Sequence, residues 1–249
     1  MVSTRMEELS LPAIEISLRI PGQWSSFEAM AARLPMGCRL TETHLHLDDG
    51  MRVQWNALKA DAEFPSIFAG SCERQPSSED CETVENYTVN FCIWGPGGSL
   101  ESAHAMMRAA AAILRAGGAG VFIDNSAKAH GSDDWHALTG DPEGGPFWAF
   151  VSFVGSKRDI YTTGMHVLGY RDAIIPRSGD DELDRFLLGN FLGYSYRSGA
   201  VLENGHVIAG EGVPSFRIKA EACRTVPEGT SVFNPYGMWR LERVRAEES

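Results

Sequence analysis

A chain of 249 residues with 43% hydrophobic and 22% charged side chains can bury a core as one large domain or as two small ones. Its 22 Lys and Arg stand against 33 Asp and Glu, a net charge of −11 with no compact basic stripe, which speaks against nucleic acid as a partner. Arg108 and Arg115 interrupt the best apolar stretch, and the N-terminus carries Arg5, Glu7 and Glu8, so neither a membrane span nor a signal-peptide core is expected. The five cysteines (Cys38, Cys72, Cys81, Cys92 and Cys223) are odd in number and lack CxxC spacing. Cys72 and Cys81 flank a polar loop and would pair only in an oxidising compartment; the expectation is free thiols in a cytoplasmic protein.

Residues 1–10 read as a loose start. Residues 13–20 alternate apolar and polar side chains, as a half-buried strand does, and Pro21-Gly22 ends the pattern. Ser25 or Ser26 caps a predicted helix over 27–34, with Phe27, Met30 and Leu34 along one face and Pro35 as its stop. Residues 39–47 alternate again, and Asp48-Asp49-Gly50 turns them into a partner strand at 51–57, a hairpin signal. The stretch 72–82, with Pro76, Ser77 and Ser78, reads as a loop and as the best internal seam.

The central unit is 88–125. An apolar β-rich run at 88–94 is broken by the glycine turn 95–99, and Ser99 is placed to cap a helix over 100–116 built from Ala, Met, Leu and Arg. Gly117-Gly118 stops the helix, and 119–124 returns as a strand, which together predict a βαβ crossover. Residues 126–146, rich in Gly, Asp and Ser, read as a loop, and 147–154 as a strongly apolar strand that pairs with 160–168 through a turn at 155–159. Asp180 or Asp181 opens a helix through Leu183, Phe186, Leu187 and Phe191, and short strands follow around 206–209, 216–222 and 238–244.

This succession predicts an α+β fold, with antiparallel or mixed sheets and helices on one face. Strand, glycine turn, serine and helix occur twice, at 14–34 and 89–114, which points to two tandem ferredoxin-like halves. The seam divides the chain into an N-terminal part, 1–82, and a C-terminal part, 83–249, whether as two units or as one continuous domain.

The strand and helix order around 109–125, followed by the segment 161–174, resembles a bacterial family catalogued as domain of unknown function 4261. The matching positions are Thr163-Gly164-Met165, Gly169 and Asp172. The resemblance covers about the second half of the chain and implies a fold, with no established activity.

Three places carry candidate chemistry. The turn 95–99 sits between strand and helix, where backbone N–H groups and Ser99 could hold an anion, but it lacks a P-loop lysine, Pro96 removes a donor and the GxGxxG spacing fails. His44 and His46 share a strand face near Asp48, with Leu45 and Leu47 on the core side. Asp124 and Asn125 end the returning strand and are candidate ligand-binding residues together with Ser99; His130, Asp133, Asp134 and His136 follow within one loop as candidate ligands of a divalent metal. No other cofactor is indicated, and no GxSxG or HExxH motif is present. Three functions are expected in this order: a non-enzymatic binding or interaction module with a protein or small-molecule partner, a metal-dependent hydrolase using 124–136, and a small-ligand sensor with a cleft between two halves.

Overall fold

The computed structural model describes residues 13–210 and 213–244; the reading of residues 1–10 falls outside them. In chain order the elements are β1 (Glu15–Gly22), α1 (Phe27–Ala31), β2 (Arg39–Leu40), β3 (His44–His46), β4 (Arg52–Lys59), α2 (Phe64–Ser71) and α3 (Ser78–Glu85). Then come β5 (Val89–Pro96), α4 (Leu100–Arg115), β6 (Gly120–Ile123), β7 (Lys128–Gly131), α5 (Ser132–Thr139), α6 (Gly145–Phe150), β8 (Ser152–Gly155) and β9 (Asp159–Thr163). A 3-10 turn (Met165–Leu168) leads to β10 (Asp172–Pro176), α7 (Asp181–Ser198), β11 (Val207–Gly210), β12 (Val213–Glu221) and β13 (Met238–Arg243). The fold is α+β. Among the described residues, no helix is long and apolar enough to cross a membrane.

The first sheet has the order β2-β3-β4-β5-β1-β6-β7 and the second β11-β12-β13-β10-β9-β8. The crossover from β5 through α4 to β6 is present, but β1 lies between its two strands, antiparallel to both. The first sheet therefore draws strands from both sides of residue 82, and β4 pairs with β5 directly across it. In the second sheet β10 pairs in parallel with β13 and antiparallel with β9. The two sheets differ in strand order, and two tandem ferredoxin-like halves are not established by them.

α4 forms because Ser99 Oγ accepts from Ser102 N at 3.1 Å and the apolar positions fall on one side, while Glu101, Arg108 and Arg115 stay exposed. Met106, Met107, Ile113 and Leu114 share one core cluster with Ile16, Leu18 and Ile20 of β1, and that cluster runs on through α7 into the second sheet. Val121 and Ile123 point into it, whereas Phe122 between them joins a separate cluster with Phe64 and Phe68 of α2. Helices thus stand on both faces of the first sheet.

Several local expectations need correction. The run 39–47 is two short strands, because Thr41 Oγ1 donates to His44 O and accepts from His44 N and so holds a turn between them. Part of the loop read at 72–82 is α3, capped by Ser77 Oγ at 3.0 Å from Asp80 N. The loop read at 126–146 holds β7, α5 and the start of α6. The apolar run 147–154 opens as helix α6, since a short continuous apolar run fits a buried helix as well as a strand and Pro146 sits in the helix's first turn. The strand read at 160–168 ends at Thr163, where Gly164 takes φ 100° and the chain enters the 3-10 turn. All five cysteines, Cys72 and Cys81 among them, are free.

Candidate functional site

The residues predicted at 124–136 do not form one site. β6 and β7 are a hairpin in which Val121 faces His130, so Asp124 and Asn125 lie in the turn and His130 toward the open end. His130 is buried: its Nδ1 is 2.6 Å from Asp134 Oδ2 and its Nε2 is 3.0 Å from Ala149 O. Neighbouring Lys128 is also buried and donates from Nζ to Trp148 O at 2.8 Å and Val151 O at 3.0 Å. The two side chains thus satisfy carbonyls at the C-terminal end of α6 that the helix itself leaves open. Both ring nitrogens of His130 are engaged by groups of the chain itself.

Asp134 is shared between His130 and Arg74, with Oδ1 2.9 Å from Arg74 Nη1; its hydrogen bond to His130 comes first among the causes that hold its carboxyl below the usual range. Asp133 is exposed, and His136 faces a different cavity, lined also by Cys38, Asp48, Arg108 and Arg115. Burial, and then Arg115, hold the His136 imidazole below its usual range. Among the described residues, no group of three or more His, Cys, Asp or Glu side chains could hold a metal ion. His44 and His46 do share a face, with ring centroids 6.2 Å apart, and Leu45 and Leu47 are buried on the other.

What the fold does bring together is the turn 124–127, the turn 97–99 and the segment 163–172. Gly98 N donates to Val167 O at 2.9 Å, and a Cβ on Gly169 (φ 88°) would come 2.5 Å from Gly98 O. On the other side, a Cβ on Gly164 would strike Phe150 O and come 3.1 Å from Ser126 Cβ. Both glycines are required, by backbone angle and by contact. Ser99 belongs to this junction through its turn, although its own hydroxyl is spent on Ser102.

Asn125 extends the β1–β6 ladder with its side chain. Its Oδ1 accepts from Ser17 N at 2.9 Å and its Nδ2 donates to Glu15 O at 2.9 Å. Asp124 accepts from Ser17 Oγ at 2.7 Å and pairs with Arg19 Nε at 2.9 Å. Next to Asn125 lies His166, only 2% exposed, whose Nε2 is 3.1 Å from Ser231 O. Asn125 Nδ2, a donor, lies 3.5 Å from the same nitrogen; the shorter contact is to the Ser231 carbonyl, which can only accept, so it places the proton on Nε2 and leaves Nδ1 a lone pair. Burial, opposed only by the bond to Ser231, pushes the imidazole down to about 4, so the ring is neutral at pH 7. These groups border a cleft of about 430 Å³ lined by Ile14, Glu15, Ser17, Asn125, His166 and Ser231, among others.

The same junction is braced from behind by Asp172. Its carboxylate accepts from Thr162 Oγ1 at 3.1 Å, Met165 N at 3.3 Å and Asn234 Nδ2 at 2.7 Å. Burial pushes the Asp172 carboxyl up to about 7, against the pull of those three donors. Three buried polar atoms on the two facing turns have no partner among the described residues: Ser126 Oγ, Thr163 Oγ1 and His166 Nδ1. Sequence reasoning missed His166 because one histidine in an apolar run looks like core; a Thr-Gly-Met-His run after a strand was the only available signal. A comparison with protein-family models, one with curated proteins and one with solved structures each return no match.

Proposed function

We propose that the chain is a non-enzymatic binding module that takes a small polar ligand where the turn 124–127 meets 163–166. The observation that carries this reading is the set of unpartnered buried atoms on Ser126, Thr163 and His166, the last of which also lines an open cleft. Buried polar groups almost always have partners, and each orphan costs about 1–3 kcal/mol, so a cluster of them is placed for a partner from outside the chain. One acceptor-only nitrogen and two hydroxyls suit a neutral ligand that both donates and accepts, such as an amide, a nucleobase or a polyol. The other polar groups, Asp124, Asn125 and Arg19, hold the turn in place, a positioning role. Five free thiols suit a reducing cytoplasm, where we place the protein. Membership in the family of unknown function 4261, proposed on Thr163-Gly164-Met165, Gly169 and Asp172, adds no activity to this reading.

The test is a thermal-shift titration of the purified protein with nucleosides, amino-acid amides and monosaccharides, run beside Thr163→Val. One of these classes should raise the melting temperature of the wild type and leave the variant unmoved. No shift with any of them, or equal shifts in both proteins, would contradict the proposal.

A further inference from the structure

A second cleft lies on the far side of the 234–236 segment. It measures about 340 Å³ and is lined by Tyr170, Arg171, Ser195, Leu202, Tyr236 and Trp239, among others; it shares only Pro235 with the cleft at His166. No Asp or Glu lines it, and Arg171 is its one charged residue. The Arg171 guanidinium sits over the Trp239 ring, 5.1 Å from the centroid, and among the described residues it has no carboxylate partner. That is unexpected in a chain of net charge −11, where the partly buried guanidiniums of Arg19 and Arg240, for example, are each paired. Ser195, 6% exposed on α7, also lines the cleft.

From these groups we infer that the cleft is a binding site for a small organic monocarboxylate with a planar apolar body. A guanidinium over an aromatic ring and without a carboxylate partner has N–H groups to offer, and its edge matches the two oxygens of a carboxylate. The Ser195 hydroxyl is a second donor. Tyr170, Tyr236, Trp239 and Leu202 supply apolar walls for the rest of the ligand. A single cation balances a single negative charge; a phosphate dianion would leave one charge uncompensated in an already acidic protein. Burial without a nearby acid also lowers the Arg171 pKa, an expense that a bound carboxylate would relieve.

Calorimetric titration of the full chain with phenylacetate tests this, with phenylacetamide as the neutral isostere and phenyl phosphate as the dianion. Phenylacetate should bind in the low-millimolar range or tighter, and both other probes at least about tenfold more weakly. Arg171→Gln should lose at least about tenfold, Arg171→Lys should fall between because it keeps the charge and loses the fork, and His166→Gln should bind as the wild type does. The inference is overturned by absence of phenylacetate binding, by equal affinity for phenylacetamide, by tighter binding of phenyl phosphate, or by a loss in His166→Gln matching that in Arg171→Gln. Should Arg171→Gln not fold, the comparison of the three probes on the wild type decides alone. A failure here leaves the His166 cleft untouched, because the two sites share no polar group.

Discussion

Replacing His166 with Gln should change how stability depends on pH, and the sign follows from the burial of the ring. In the folded chain the imidazole titrates at about 4, whereas exposed histidine titrates near ~6.5. On acidification the unfolded chain takes the proton first, so the contribution is fully present above pH ~6.5 and is lost as pH falls toward 4. At 1.36 kcal/mol per unit the loss amounts to about 3 kcal/mol. Asp172 acts in the opposite direction over nearly the same window. Its folded value of about 7 lies above the unfolded one near ~3.9, so the folded chain takes the proton first and gains stability as pH falls. In the wild type the two contributions largely cancel, and each appears when the other is removed. Urea unfolding of wild type and His166→Gln at about pH 7.5 and about pH 4 should show the variant gaining about 3 kcal/mol relative to wild type on acidification. Asp172→Asn should lose a comparable amount relative to wild type. Identical pH profiles for His166→Gln and wild type would show that the ring is not buried as described, and the argument would fail.

Adjacent threonines should respond with opposite signs. Thr162 Oγ1 both donates to Asp172 and accepts from Ala173 N, so Thr162→Val should cost about 2–4 kcal/mol in chemical denaturation, while Thr163→Val removes an orphan hydroxyl and should be neutral or stabilise by about 1 kcal/mol. His130→Ala should destabilise by about 2–4 kcal/mol because it strips both Asp134 and the end of α6, while His136→Ala should cost under about 1 kcal/mol; equal losses would restore the idea that the two act together. Leu114 is buried between α4 and the first sheet, so Leu114→Ala should cost about 2–5 kcal/mol, and an unchanged denaturant midpoint would show the helix face to be misassigned.

The central unit was legible because each of its signals is local: Ser99 caps, Gly117 breaks, and the apolar spacing between sets the buried face of α4. The Asp48-Asp49-Gly50 hairpin and the Asp180 cap of α7 were readable for the same reason. What escaped was decided by tertiary partners. The aromatic run around Phe147 became a helix whose end is satisfied by Lys128 and His130, from another strand and invisible in its own window. Polar, Gly-rich stretches such as 126–146 concealed β7 and α5, whose buried Ala129 and Trp135 are too sparse to show a period. For the site, Asp124 and Asn125 stand out in the sequence because they follow a buried strand, but their bonds reach back to Ser17 and Glu15, over a hundred residues away. His166 and Arg171 gain their significance only from what packs around them, Asn125 and Ser231 for one and Trp239 for the other.

A high-resolution crystal structure of the protein purified from its expression host tests the central claim most directly. The account predicts density for a non-water molecule at the junction, hydrogen-bonded to His166 Nδ1 and to at least one of Ser126 Oγ and Thr163 Oγ1. Those three atoms bonded to protein groups, or to isolated waters alone, would contradict it.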